Sequence, residues 1–108
     1  MKFLTIGTFK DAYHTLPQAE RQKLGTGTLE ADLKLKREMG DKFRFYAVPG
    51  RDYMAVIITE VSSLEEPAQL FAQVPVAASG FFKYESFPLI ERDEKYFEGL
   101  LTRVQAAK

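Results

Sequence analysis

The hydrophobic and polar positions along the chain fall into runs of two periods, and the order of those runs predicts the fold. Residues 2 to 9, Lys2-Phe3-Leu4-Thr5-Ile6-Gly7-Thr8-Phe9, mix β-branched, aromatic and small side chains and stop at the charged pair Lys10-Asp11, which predicts a first strand. Thr15-Leu16-Pro17 then has the form of a helix start, since Thr can cap and Pro fits where no N–H is needed. Between Pro17 and Met39 two patterns compete. Leu29 to Lys36 alternates strictly, as a strand would, yet Leu29 to Met39 holds no β-branched or aromatic residue and is filled with Leu, Glu, Ala, Lys, Arg and Met. Leu24, Thr28, Ala31, Leu35 and Met39 share one helical stripe, and Gly40 is a natural stop, so the segment is assigned to helix. Gly25 and Gly27 each cost about 1 kcal/mol inside it and mark where it would break.

From Lys42 the pattern changes. Phe43-Arg44-Phe45-Tyr46-Ala47-Val48 and Tyr53-Met54-Ala55-Val56-Ile57-Ile58-Thr59-Glu60-Val61 flank Pro49-Gly50-Arg51-Asp52, which predicts a β-hairpin. Ser63-Leu64-Glu65-Glu66 has capping-box spacing, with Pro67 able to shift the helix start to Glu66, and this second helix should end before Pro75. A fourth strand is expected over Phe81 to Phe87, closed by Pro88. Tyr96, Phe97, Leu100, Leu101 and Val104 then mark an amphipathic tail helix at about 91–105. The order β-α-β-β-α-β plus a tail helix predicts one α+β domain over 1–108 with ferredoxin-like topology, both main helices covering one face of an antiparallel sheet. The second hairpin strand is apolar on both faces. The face without helices therefore needs a cover, and a second copy of the chain, as a homodimer or higher homo-oligomer, is expected to supply it.

Composition narrows the function classes. The 108 residues are 45% apolar, enough for a core without disulfides or metal, and 15 basic residues balance 15 acidic ones. With no net field to attract phosphate or anionic lipid, neither nucleic acid nor membrane is an expected partner. The absence of cysteine removes thiolate chemistry, and one histidine leaves a transition-metal site short of ligands, so no metal and no cofactor is expected. The amino-terminal run is too short and interrupted for a signal peptide, and no apolar run approaches a membrane span, which leads to an expectation of the cytoplasm.

Several short motifs carry a resemblance. The hairpin Tyr46-Ala47-Val48-Pro49-Gly50-Arg51, the strand end Glu60-Val61-Ser62-Ser63, Pro75 after the second helix and the close Tyr84-Glu85-Ser86-Phe87-Pro88-Leu89 resemble the muconolactone isomerase-like family of the dimeric α/β-barrel superfamily. The likeness runs from about Phe3 to Leu89; the glycines at 25 and 27 and the long tail depart from it. It implies a dimer whose two four-stranded sheets face each other as a barrel, with a pocket inside each subunit. The superfamily includes isomerases, cofactor-free monooxygenases, polyketide cyclases and haem-handling proteins, so fold alone does not choose a reaction.

Candidate residues are those whose chemistry stands out from their surroundings. His14, the one group with an ordinary pKa near neutrality, sits where the first strand gives way to helix. Glu60 and Glu85 are acids in apolar strands, where burial would fit them for proton transfer; the alternative is strand-end charges paired with Arg44 or Lys83. Arg44 and Lys83 suit the carboxylate or enolate of a small anion, or else cross-strand ion pairs. Tyr46, Tyr53 and Tyr84 offer hydroxyls on apolar bodies, as substrate-binding groups or as packing residues. Two functions follow. One is a cofactor-free isomerase or cyclase-like enzyme that moves a proton on a small carboxylated or aromatic molecule. The other is a non-catalytic homodimer that binds a small ligand or serves assembly, with a filled barrel interior.

Overall fold

The computed structural model describes residues 1–107. Strand β1 (Lys2–Phe9) leads through a short helix α1 (Asp11–His14) into the long helix α2 (Gln18–Met39). A 3-10 turn, Gly40–Lys42, delivers the chain to the hairpin β2 (Phe43–Ala47) and β3 (Met54–Glu60). Two short helices, α3 (Glu66–Phe71) and α4 (Pro75–Ala78), precede β4 (Phe82–Leu89), and α5 (Glu94–Ala106) forms the tail. The sheet order is β2-β3-β1-β4 with every pair antiparallel, which is the ferredoxin-like arrangement. Among the described residues no helix is long and apolar enough to cross a membrane.

Helix α2 runs unbroken through both glycines. Composition therefore outweighs the alternation of Leu29 to Lys36. The predicted stripe faces inward: Leu35 is buried, and Leu24, Thr28, Ala31 and Met39 are half-buried. Gly27 has a packing role, because a Cβ there would lie 3.2 Å from Pro75 Cγ where α2 passes α4, whereas a Cβ on Gly25 would meet nothing within 4 Å. Gly25→Ala is accordingly expected to raise stability by up to about 1 kcal/mol, read as a higher urea midpoint, and Gly27→Ala to gain less because the contact offsets the helix propensity.

Other boundaries shift for local reasons. The Thr15 hydroxyl donates back to the Ala12 carbonyl at 3.0 Å and does not cap α2, whose N-cap position is Pro17. Helix α3 starts at Glu66, and the reaching-back half of the capping motif exists one residue early, with the Ser62 N–H donating to Glu66 Oε2 at 3.1 Å. Strand β4 continues through Pro88 to Leu89, which an edge strand allows because no ladder partner is lost on its outer side. Helix α5 begins at Glu94, set by Asp93, whose carboxylate accepts from the Tyr96 N–H at 2.9 Å.

The core lies on one face of the sheet. Leu35, Phe43, Ile57, Phe71, Val74 and Val76 are buried together, with Phe9, Phe82 and Tyr84 packed against them. By register the strand members of this cluster all point to the helix side. On that side Gly7 leaves room for the Phe82 ring, whose Cζ end takes the space a Cβ would occupy. The opposite face carries Leu4 and Ile6 of β1, Val56 and Ile58 of β3, Tyr46 of β2 and Phe87 of β4, and among the described residues no helix covers it. Helix α5 also stands apart. It stretches the molecule to 61 × 30 × 24 Å and leaves Phe97, Leu101 and Val104 exposed.

Candidate functional site

Between the last turns of α2 and the edge strand β2 lies a cleft of about 620 Å3. Its walls are apolar: Leu29 and Leu33 come from α2, and Phe43 and Phe45 from the helix side of β2. Helical spacing places the polar groups. Asp32 and Lys36, one turn apart, share the α2 face that borders the cleft, and Asp32 also lies three residues before buried Leu35. Because β2 is an edge strand, Arg44 and Tyr46 border the cleft even though the register turns them toward the uncovered face.

The two cations that line the cleft are held by backbone. Lys36 Nζ donates to the carbonyls of Gly40 (3.2 Å) and Phe43 (2.8 Å), and Arg44 Nε donates to the Asp41 carbonyl (3.2 Å). Both are thus pinned to the turn that joins α2 to β2, with the rest of the guanidinium fork and a third ammonium proton left over for an anion. Asp32 is half-buried, and burial pushes its carboxyl up from 3.8 to about 6. Asp32 is therefore a carboxylate that exchanges its proton near neutrality.

This shift has a consequence for stability. The folded chain holds the Asp32 proton more tightly than the unfolded chain, so ionising it favours unfolding. Its contribution is fully present below about pH 4 and is lost as the pH rises through about 6. The whole shift would correspond to about 3 kcal/mol, and screening of a partly exposed group reduces this to roughly 1–2 kcal/mol. Asp32→Asn is expected to remove that loss. The variant should gain stability relative to the parent between pH 4 and pH 7, which urea unfolding at the two pH values measures.

The other sequence candidates lie elsewhere. Glu60 is exposed at the end of β3, in a small concavity of about 250 Å3 that it shares with Lys2, Asp41, Lys42 and Arg44, so it neighbours the cleft across Arg44. Glu85 and Lys83 are exposed on the uncovered face, opposite Ile6 and Thr8 of β1. His14 and Tyr53 meet at the other end of the sheet with ring centroids 4.4 Å apart, in a hollow of about 430 Å3 that Arg21 also lines. Tyr84 points to the helix side and packs on Phe71, with centroids 5.2 Å apart. Arg44 and Tyr46 are thus the candidates that the fold brings to one cleft, joined there by Asp32 and Lys36, which the strand-centred reading passed over. The signal was available in the helical wheel: a carboxylate four residues after Thr28 and three before Leu35 borders the buried stripe. A second groove of about 920 Å3 runs along the other flank of α2, but its charged residues, Glu20, Lys23 and Glu30, are all exposed.

No family model matches the sequence, and no curated protein matches it. Solved structures do. Muconolactone isomerase superposes with a TM-score of 0.70 at 22% identity, over 87% of this chain and 93% of its own. A 5-chloro-2-hydroxyhydroquinone dehydrochlorinase from Burkholderia phenoliruptrix, in complex with 2,5-dihydroxybenzoquinone, superposes with a TM-score of 0.56 at 16% identity, over 85% of this chain and 96% of its own. The α+β fold of this chain is therefore the ferredoxin-like fold of muconolactone isomerase, as the resemblance in its hairpin and strand ends implies.

Proposed function

We infer that the chain is a cytosolic, cofactor-free enzyme that moves a proton on a small carboxylated or aromatic molecule bound in the α2–β2 cleft. The observation that carries this reading is the half-buried Asp32, held near neutrality, in an apolar cleft also lined by Lys36 and Arg44. In the forward direction the Asp32 carboxylate takes the proton from the carbon next to a carbonyl: the C–H bond breaks, an O–H bond forms, and the negative charge moves to the carbonyl oxygen as an enolate. Lys36 or Arg44 stabilises that oxygen or holds a carboxylate of the same substrate, and Tyr46 orients it from the border of the cleft. Return of the proton to a different carbon completes an isomerisation, and departure of a leaving group instead completes an elimination. A lactone isomerase and a dehydrochlorinase among the structural neighbours support this class of chemistry.

In the same reading two copies pack their uncovered sheet faces together, which encloses Glu85 and Lys83. A cleft of several hundred Å3 bordered by Arg44 argues against a filled, purely structural barrel. The test is exchange of acidic C–H protons in heavy water, followed by NMR, over a panel of small lactone and keto acids. Catalysed exchange of at least one member, rising with pH through an inflection near 6, is the expected result. Absence of exchange across the panel, with binding retained, would favour a ligand-binding role.

A further inference from the structure

We propose that helix α5 of a second copy lies across the mouth of the α2–β2 cleft and closes it, so that the site is complete only in the dimer. The proposal rests on the face-to-face pairing inferred above and adds to it a wall contributed by the partner.

Helix α5 needs a cover that its own chain does not give. Thirteen residues are too few to hold a helix alone in water. Its apolar stripe is nevertheless open, with Phe97 and Leu101 each 59% and Val104 57% exposed. The cleft shows the matching deficit: Leu29 is 70%, Phe45 50% and Leu33 49% exposed, although all three sit where a core would continue. Charge agrees with this pairing. Glu94 and Glu98 line one border of the α5 stripe, four residues apart, and the cleft is lined by Lys36 and Arg44, whose remaining donors meet no partner side chain among the described residues.

The path of the chain selects the partner's cleft over its own. β4 and β2 are opposite edges of one sheet, separated by β3 and β1. Strand β4 ends at Leu89, paired with Lys2, which also pairs with Glu60; this is the end of the sheet where Phe43 and Arg44 lie. When two such sheets face each other about a two-fold axis along the strands, the β4 edge of one copy comes beside the β2 edge of the other, at the same level. The link 90–93 spans up to about 14 Å, so α5 emerges next to the partner's cleft. Seated there, it lays its apolar stripe over Leu29, Leu33 and Phe45 and shuts water away from Asp32.

The chain has no cysteine, so single cysteines report the contact cleanly. Leu33→Cys and Leu101→Cys, both at exposed positions, are prepared separately, mixed under conditions of subunit exchange and treated with a short bismaleimide. The expected product is a covalent dimer joining the two variants, in roughly tenfold excess over the control pair Glu20→Cys with Leu101→Cys, because docking raises the effective concentration of the two thiols. Faster linkage of Leu101→Cys to itself would mean that tail helices pair with each other, and faster linkage to Glu20→Cys would place α5 in the groove on the other flank of α2; either overturns the proposal. A dimer by sedimentation with no linkage above control overturns it while leaving the face-to-face pairing intact. A monomer by sedimentation removes both.

Discussion

Replacing Asp32 by asparagine is expected to slow substrate proton exchange by about 10²–10⁴-fold while leaving substrate affinity within a factor of a few. The side chain keeps its shape and its place between Leu29, Leu33 and Lys36, but it no longer accepts a proton. Binding rests on the apolar walls and on the cations pinned to the turn 40–42, which the substitution does not touch. The residual rate should also lose its inflection near pH 6, because the group responsible for it is gone. An unchanged rate with an unchanged pH profile would move the chemistry out of this cleft and return attention to Glu60, which sits beyond Arg44 in the adjoining concavity. The same substitution stabilises the fold at neutral pH, so loss of activity with gain of stability is the combined signature of a carboxylate placed for function at a cost to folding.

The second large effect concerns the uncovered sheet face. Val56 stands at its centre, paired with Ile6 on one side and Tyr46 on the other, and its side chain points away from the helix-side core. Val56→Glu should leave the circular dichroism of the chain unchanged and convert the proposed dimer to monomer. A charge buried there without a partner costs about 3–5 kcal/mol, or roughly 10²–10⁴ in the dissociation constant. Sedimentation across a concentration series reads this directly. A variant that stays dimeric at the parent's concentrations would show that the copies meet through another surface.

Most of the fold was legible because it follows from periodicity and composition. The β1 run, the Pro-Gly hairpin and the stripe of Leu24, Thr28, Ala31, Leu35 and Met39 each had one physical reading once the lack of β-branched residues in α2 was weighed against its alternation. The short helices α1 and α4 were not legible, since four residues carry no periodicity. The site was harder for a reason rooted in the strands. When both faces of β3 are apolar, an acid such as Glu60 gives no sign of which face is covered, and Glu60 and Glu85 both prove exposed in the single chain. The group that burial does act on lies on a helix, where Asp32 looked like one more polar residue of the run from Leu29 to Lys36. Its place beside Leu35 shows only when that run is wound at 100° per residue.

The most direct measurement is the pH titration of the Asp32 side-chain carboxyl by carbon NMR in aspartate-labelled protein, assigned by its loss in Asp32→Asn. A midpoint at about 6, or higher where a partner's helix closes the cleft, is the expected result. A midpoint near 4, the value of an unperturbed aspartate, would contradict the reading of the α2–β2 cleft as a proton-transfer site.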